Sequence, residues 1–275
     1  AGGVGPLEHL EAPLATDEPF ARPAAVPTPD PARGGRRRTY PAFMWLLFDA
    51  LLSVYGSARR VEAELSHPVV WEHLRALVAR RFPVDPLPDV PMRRHHYLYG
   101  RTRWLTHPDV LPRLREVHQE CAEAQARRLG LLDPDGPGSW ARPDLWRMVY
   151  ADGKVVTPLF KARPGEEVVD RDTGEIRPAR AEKDAGLHFE GTGETAWGTK
   201  WVIVPVRSEE VHGRIILDAD WVPSPGGEAA VAMDCFRGIA SRCPGAMGVI
   251  YDTALRGVHH QTLLRDLGLL PVNRV

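Results

Sequence analysis

Asp152 and Asp252 each directly follow a short apolar run that reads as a buried strand: Leu145-Trp146-Arg147-Met148-Val149-Tyr150-Ala151 before the first, Met247-Gly248-Val249-Ile250-Tyr251 before the second. A carboxylate at the carboxyl end of an apolar strand is poorly placed for a core and well placed for the crevice where open α/β sheets bind ligands. Two of them on neighbouring strands form the oxygen-rich half of a magnesium or manganese site. A third ligand is usually wanted, and the chain reaches Val275 without an obvious one. Taken singly, each aspartate is more readily a turn former or helix cap, and Asp252-Thr253 could simply cap the helix after it. Only their pairing argues for a metal.

The elements that must position this pair follow from pattern. Residues 1–38 are rich in Pro, Ala and Gly without periodicity and read as a disordered leader ending in the basic knot Arg36-Arg37-Arg38. Residues 39–140 read as a basic helical module. Phe43, Leu46, Leu47, Ala50, Leu51 and Val54 recur at helical spacing, Gly56 ends that helix, and Ser57 caps the next. Ser66-His67-Pro68 restarts the chain into a helix over 69–82, a spacing that suits a helix-turn-helix or any small bundle. Arg93-Arg94-His95-His96-Tyr97-Leu98-Tyr99-Gly100-Arg101-Thr102-Arg103-Trp104 interleaves basic and aromatic residues. Such a mixture holds phosphates and stacks on bases, or else is a loop whose aromatics plug the core. A long helix follows, from about Pro108 to Leu129.

The pattern changes at Trp146. Strands are expected over 148–151, ending at Asp152, then 200–206, 213–222, 248–251 and from 269, with helices over 228–240 and 253–267. A polar insertion covers about 162–196. Residues 141–275 thus read β, β, β, α, β, α, β, a meander followed by crossovers. This is the order of a ribonuclease H-like mixed α/β sheet, preceded here by an all-α module. In that sheet the first and fourth strands lie side by side and parallel, so Asp152 and Asp252 become neighbours. Two carboxylates sharing a divalent cation suit in-line phosphoryl displacement by water or a 3′-hydroxyl. Asp218 or Asp220 could approach the aspartates from the third strand, yet their alternation fits a solvent face at least as well. Glu190, Glu194 and Glu228 precede Asp252 in the chain, and Lys154, His212, His259 and His260 are candidate phosphate contacts.

Composition narrows the classes. With 43% hydrophobic and 26% charged residues the chain can bury a core. Three scattered cysteines give no zinc motif and suit a reducing cytosol. No apolar run is long enough to span a membrane, the longest being broken by Asp49. The net charge of −1 hides a basic stretch, with 17 arginines against 10 acids over residues 33–128. That asymmetry allows phosphate contact through Arg36, Arg37, Arg38, Arg59, Arg60, Arg93, Arg94, Arg101 and Arg103, with Lys154 beside the acid pair. The plainer reading is an arginine-rich composition that merely solvates helices.

The chain also resembles the DDE transposases of bacterial insertion sequences. The resemblance rests on Tyr40-Pro41-Ala42 through Leu65, on Tyr150-Ala151-Asp152-Gly153-Lys154, and on Tyr251-Asp252-Thr253-Ala254 with Leu263-Leu264-Arg265-Asp266-Leu267-Gly268-Leu269-Leu270-Pro271-Val272. It implies metal-dependent cleavage and joining of double-stranded DNA at transposon ends and target, with Asp152 and Asp252 as the first two acids. It also implies a cytoplasmic, nucleoid-associated protein with a second copy of itself as candidate partner. The family's third acid, a glutamate on a later helix, is not matched after Asp252. The chain therefore reads as a C-terminally truncated fragment, inactive as it stands, with that acid expected beyond Val275. Two rival readings stand beside it: a non-catalytic DNA-binding remnant of a decayed element, and a metal-dependent phosphohydrolase.

Overall fold

The computed structural model describes residues 5–14, 39–81, 86–158, 160, 162–189, 193–210, 213–252 and 255–273. The chain divides into two compact units, residues 1–118 and 119–275. Arg36, Arg37, Arg38 and His212 lie outside the described residues.

The first unit is built from helices whose ends the sequence writes clearly. Helix α1 (Pro6–Leu14) forms where the composition suggested a disordered leader, and it buries Leu10 and Leu14. Helix α2 (Phe43–Tyr55) ends because Gly56 adopts φ +71°, a left-handed turn that glycine tolerates, and its N–H closes on the Leu52 carbonyl. Ser57 then caps α3 (Ala58–Leu65), its hydroxyl accepting the Arg60 N–H at 3.3 Å. Pro68 opens α4 (Pro68–Arg81) at the first-turn position that spares a missing N–H. The basic–aromatic segment forms a short helix, α5 (Arg94–Gly100), that runs into a π-helical turn over Arg101–Leu105. Tyr97 and Trp104 are both buried there, plugging the core as the plainer reading had it. Tyr97 stacks on Phe48 at 4.3 Å between ring centroids, and Trp104 lies against Trp45.

One polar pair sits inside this core. Asp49, which interrupts the apolar run of α2, accepts a hydrogen bond from the Tyr97 hydroxyl. Burial raises the Asp49 carboxyl above its ordinary 3.8, opposed by that hydrogen bond and by Arg101. Burial, with Asp49 next, pushes the Tyr97 hydroxyl up to about 12.

The second unit is a mixed sheet with two helices. After α6 (Val110–Arg128), the chain enters β1 (Met148–Tyr150) and β2 (Asp152–Val156), then a separate hairpin, β3 (Glu167–Val169) and β4 (Ile176–Pro178). There follow β5 (Gly186–Phe189), β6 (Thr195–Arg207), β7 (Arg214–Trp221), α7 (Glu228–Arg242), β8 (Gly248–Tyr251), α8 (Gly257–Arg265) and β9 (Leu270–Asn273). The strand order is β7-β6-β1-β8-β9, with β1, β8 and β9 parallel and β6 antiparallel to both its neighbours. This is the ribonuclease H-like order expected from the element sequence. Every second residue of β6, namely Val202, Val204 and Val206, is fully buried with Met233, Phe236 and Ile239 of α7 and Leu263 of α8.

Two further expectations are corrected. The first strand does not end at Asp152. β1 and β2 both pair with β6 in one register, Val149 opposite Val206 and Asp152 opposite Ile203, so they are halves of a single strand. Asp218 is not on a solvent face. It is 2% exposed, with the Arg242 guanidinium of α7 at 3.9 Å, and Arg242 in turn is bonded to Glu123 of α6.

Tyr97→Phe is expected to lower the stability of the helical unit by about 1–3 kcal/mol at pH 7, because it leaves a half-buried carboxylate without its donor. Below pH 3.8 Asp49 is protonated whether folded or unfolded, and the loss should shrink. Denaturant unfolding at pH 7 and pH 3.5 checks both statements, and a loss independent of pH would reject this account of the pair.

Candidate functional site

β1 and β8 run in parallel register with Met148 beside Gly248, Val149 beside Val249 and Tyr150 beside Ile250. The Ala151 N–H then bonds to the Ile250 carbonyl at 2.9 Å. Carried two residues further than the ladder itself, this register sets Asp152 beside Asp252. β8 stops at Tyr251 while β2 runs on to Val156, so the two carboxylates sit at the notch where one strand loses its partner. Both are exposed. Adjacent strands lie about 4.8 Å apart, which puts both carboxylates within reach of one cation.

The electrostatics agree with this closeness. Partial desolvation raises the Asp152 carboxyl above its ordinary range, and the charges of Asp252 and Glu228 raise it further. Lys154 and a backbone hydrogen bond from Gly153 oppose the shift. A like-charged neighbour favours the neutral acid, and a divalent cation would remove that penalty.

Directly paired residues of antiparallel strands point to the same side of a sheet. Asp152 therefore shares a face with Ile203, and Lys154 with Trp201, away from the buried valines of β6. The alternate residue, Gly153, faces α7, and there the structure holds a carboxylate that sequence order had set aside. Glu228, the first residue of α7, lies so close that a Cβ on Gly153 would collide with its Oε1. Its Oε1 accepts from the Tyr251 hydroxyl and its Oε2 is paired with the Lys200 ammonium. Lys200 also donates to the Phe189 carbonyl at 3.3 Å. Burial, and next the bond to Glu228, drive the Tyr251 hydroxyl far above the ordinary phenol range.

Glu228 thus ties β6, β8 and the start of α7 together, packed against Gly153 of β2 directly behind the aspartates. Its oxygens are both engaged, and among the described residues no group of three or more His, Cys, Asp or Glu side chains forms a metal-binding set. The donor set at the notch is two exposed carboxylates. That fits a magnesium-type ion, which keeps several waters and takes one or two carboxylates plus substrate phosphates. The signal for Glu228 in the sequence was Gly226-Gly227-Glu228 opening the helix after the third strand.

The remaining candidates are distributed as follows. Lys154 is exposed on the aspartates' face. Arg59 and Arg60 are exposed at the start of α3, and Arg93, Arg94, Arg101 and Arg103 are exposed around α5 and the turn after it, in the other unit. His259 accepts the Arg256 N–H at 3.1 Å, and His260 is bonded to Asn273 at 2.8 Å, so both serve the α8 region. Among the described residues no helix is long and apolar enough to cross a membrane.

No family model matches this sequence, and no curated protein does. Among solved structures the chain is similar to a Mos1 transposase paired-end complex with left transposon end, at 15% identity and a TM-score of 0.24 over 88% of this chain and 61% of that one. A Mos1 mariner paired end complex with Mn gives 14% identity and a TM-score of 0.24 over 90% and 62%. The chain spans about three fifths of the length of those proteins. Likeness at this level carries no argument about the site, which stands on its own geometry.

Two outcomes test that geometry. Gly153→Ala is expected to displace the Glu228 carboxylate from Lys200 and Tyr251 and cost about 1–3 kcal/mol in denaturant unfolding. Combined with Glu228→Ala it should cost less than the sum of the two, whereas full additivity would mean that the residues do not meet. Carboxyl-detected NMR titration should place Asp152 above the ordinary aspartate range, and Asp252→Asn should move it down. An unmoved value would separate the two aspartates.

Proposed function

We propose that this chain is transposase-like, built for DNA processing with a divalent metal, Asp152 and Asp252 being the first two acidic ligands of a set whose third acid it does not itself supply. The observation that carries the reading is the β1–β8 register, which sets two acids from distant parts of the chain side by side at an open notch of a ribonuclease H-like sheet. A divalent cation held there supplies Lewis-acid stabilisation of a phosphoryl group and a stronger oxygen nucleophile. The chain's own residues do the rest. Asp152 and Asp252 hold the cation with two carboxylate arms. Lys154, on the same face, attracts a non-bridging phosphate oxygen. The Lys200–Glu228–Tyr251 tie fixes β6, to which β2 is paired, against β8, so that the two arms keep their spacing.

In the helical unit, the exposed arginines Arg59, Arg60, Arg93, Arg94, Arg101 and Arg103 supply sequence-independent contact to duplex phosphates. The finer reading is a bacterial insertion-sequence enzyme acting on its element's ends and on target DNA, with magnesium or manganese, as a homodimer in the cytoplasm.

Mn2+ is the direct probe. Electron paramagnetic resonance titration should show Mn2+ binding that weakens at least tenfold in Asp152→Asn and in Asp252→Asn, while affinity for duplex DNA stays within about twofold. Duplex affinity should also fall steeply with salt, as phosphate contacts require. Equal Mn2+ affinity in either variant would sink the assignment of that aspartate.

A further inference from the structure

On the aspartates' side of the sheet lies a shallow, open cleft of about 250 Å³, lined by Glu182, Asp184, Thr199, Trp201 and Trp221. The two indoles belong to directly paired residues of β6 and β7. Trp201 is 36% exposed, and its indole N–H donates to the Thr199 hydroxyl at 3.2 Å, which fixes the ring and leaves a face open. The strand ladders place this cleft relative to the acids: Lys154 is opposite Trp201, and Asp152 is opposite Ile203, two residues along β6. At about 3.4 Å per residue along a strand and about 5 Å between strands, Trp201 stands about 8 Å from Asp152, within the reach of neighbouring nucleotides on one phosphodiester strand.

We propose that the Trp201–Trp221 cleft binds a single unpaired nucleobase next to the phosphodiester held at the aspartates, with preference for a base that donates from an exocyclic amine. The inference rests on the reading of the aspartates as a nucleic-acid site. The volume is below the 300–1,000 Å³ of ordinary small-molecule pockets, which suits one planar ring system and not a base pair. Indole faces attract any base. The carboxylates of Glu182 and Asp184 repel phosphate, so the ligand enters base first, with its backbone outside. There Lys154 meets the phosphate charge. The same carboxylates accept the amine protons of cytosine, while thymine offers only carbonyl acceptors at that position.

The test uses the whole chain, free of divalent metal, with short oligo(dC) and oligo(dT). The indole N–H signals of Trp201 and Trp221 are followed by NMR and assigned from Trp201→Phe and Trp221→Phe. Oligo(dC) should shift both signals and bind at least threefold more tightly than oligo(dT). Trp201→Ala and Trp221→Ala should each weaken oligo(dC) at least fivefold, while Trp201→Phe, which keeps an aromatic face, should retain most of the affinity and guard against a folding artefact.

Equal affinity for the two oligonucleotides, or unweakened binding by the alanine variants, would overturn the proposal. So would indole signals that answer to spermidine at matched ionic strength and not to oligo(dC), which would mark an organic-cation site instead. Mn2+ titration of the wild-type chain reports on the aspartates separately. Absent Mn2+ binding with intact oligo(dC) preference would remove the acid-pair reading alone, and the reverse pattern would remove the base site alone.

Discussion

Everything at the notch depends on one register, the parallel pairing of β1 with β8. Two carboxylates side by side repel, so something must hold them there. Val149 and Val249 are fully buried neighbours in that register, and Tyr251 is buried on the same face against Phe236. A slip of one residue would turn a buried side chain of one strand toward the open face. Each fully buried side chain of this size is worth about 1.5–3 kcal/mol, whereas the repulsion of two exposed carboxylates in water is about 1 kcal/mol or less. The core sets the register, and the acids accept the consequence.

A second constraint acts from behind. Glu228, Lys200 and Tyr251 form a half-buried polar knot in which an ammonium and a phenol hydroxyl satisfy one carboxylate. Truncating any one partner would leave the others under-satisfied in a poorly solvated place, which makes such a knot specific in geometry even where its net contribution to stability is small. Gly153 belongs to it although it makes no side-chain bond: only a residue without Cβ lets the carboxylate approach β2 so closely. The Asp-Gly-Lys triplet therefore faces two ways, its aspartate and lysine to the open side and its glycine to the knot.

The strand order, the nearness of Asp152 to Asp252 that follows from it, and the helix ends at Gly56 and Ser57 were legible, being written in apolar runs bounded by residues with strong turn or cap preferences. What escaped was decided by tertiary pairing. Asp152-Gly153-Lys154 looks like a turn, and becomes a strand because β6 offers thirteen residues of pairing edge. Asp218 alternates like a surface residue, and is buried because its pairing with the fully buried Val204 of β6 turns it to the α7 side of the sheet. Glu228 precedes Asp252 in the chain and so does not match the order of a third acid on a later helix, although order along a chain does not limit which residues meet in space. Residues 94–100 are too polar to show a helical stripe, yet Tyr97 carries them into the core. Helix α1 was within reach, since Leu7, Leu10 and Leu14 recur at helical spacing in an otherwise uninformative composition.

The period of two along a strand lets this sheet separate stability from chemistry. On the α7 side of β6 stand Val202, Val204 and Val206, all fully buried. On the other side of the same strand stand Thr199, Trp201 and Ile203, paired across the ladder with Val156, Lys154 and Asp152. The second set buries little, so it can carry charge, open aromatic faces and carboxylates at small cost to folding. The first set fixes the backbone on which they stand to within the tolerance of a packed core. Side chains on the open face inherit that precision without contributing to it, which is the condition for a preorganised site. The physical case for reading the aspartates, the lysine and the tryptophans as one surface is therefore that three adjoining ladders, β8 on β1, β2 on β6 and β6 on β7, set all of their spacings.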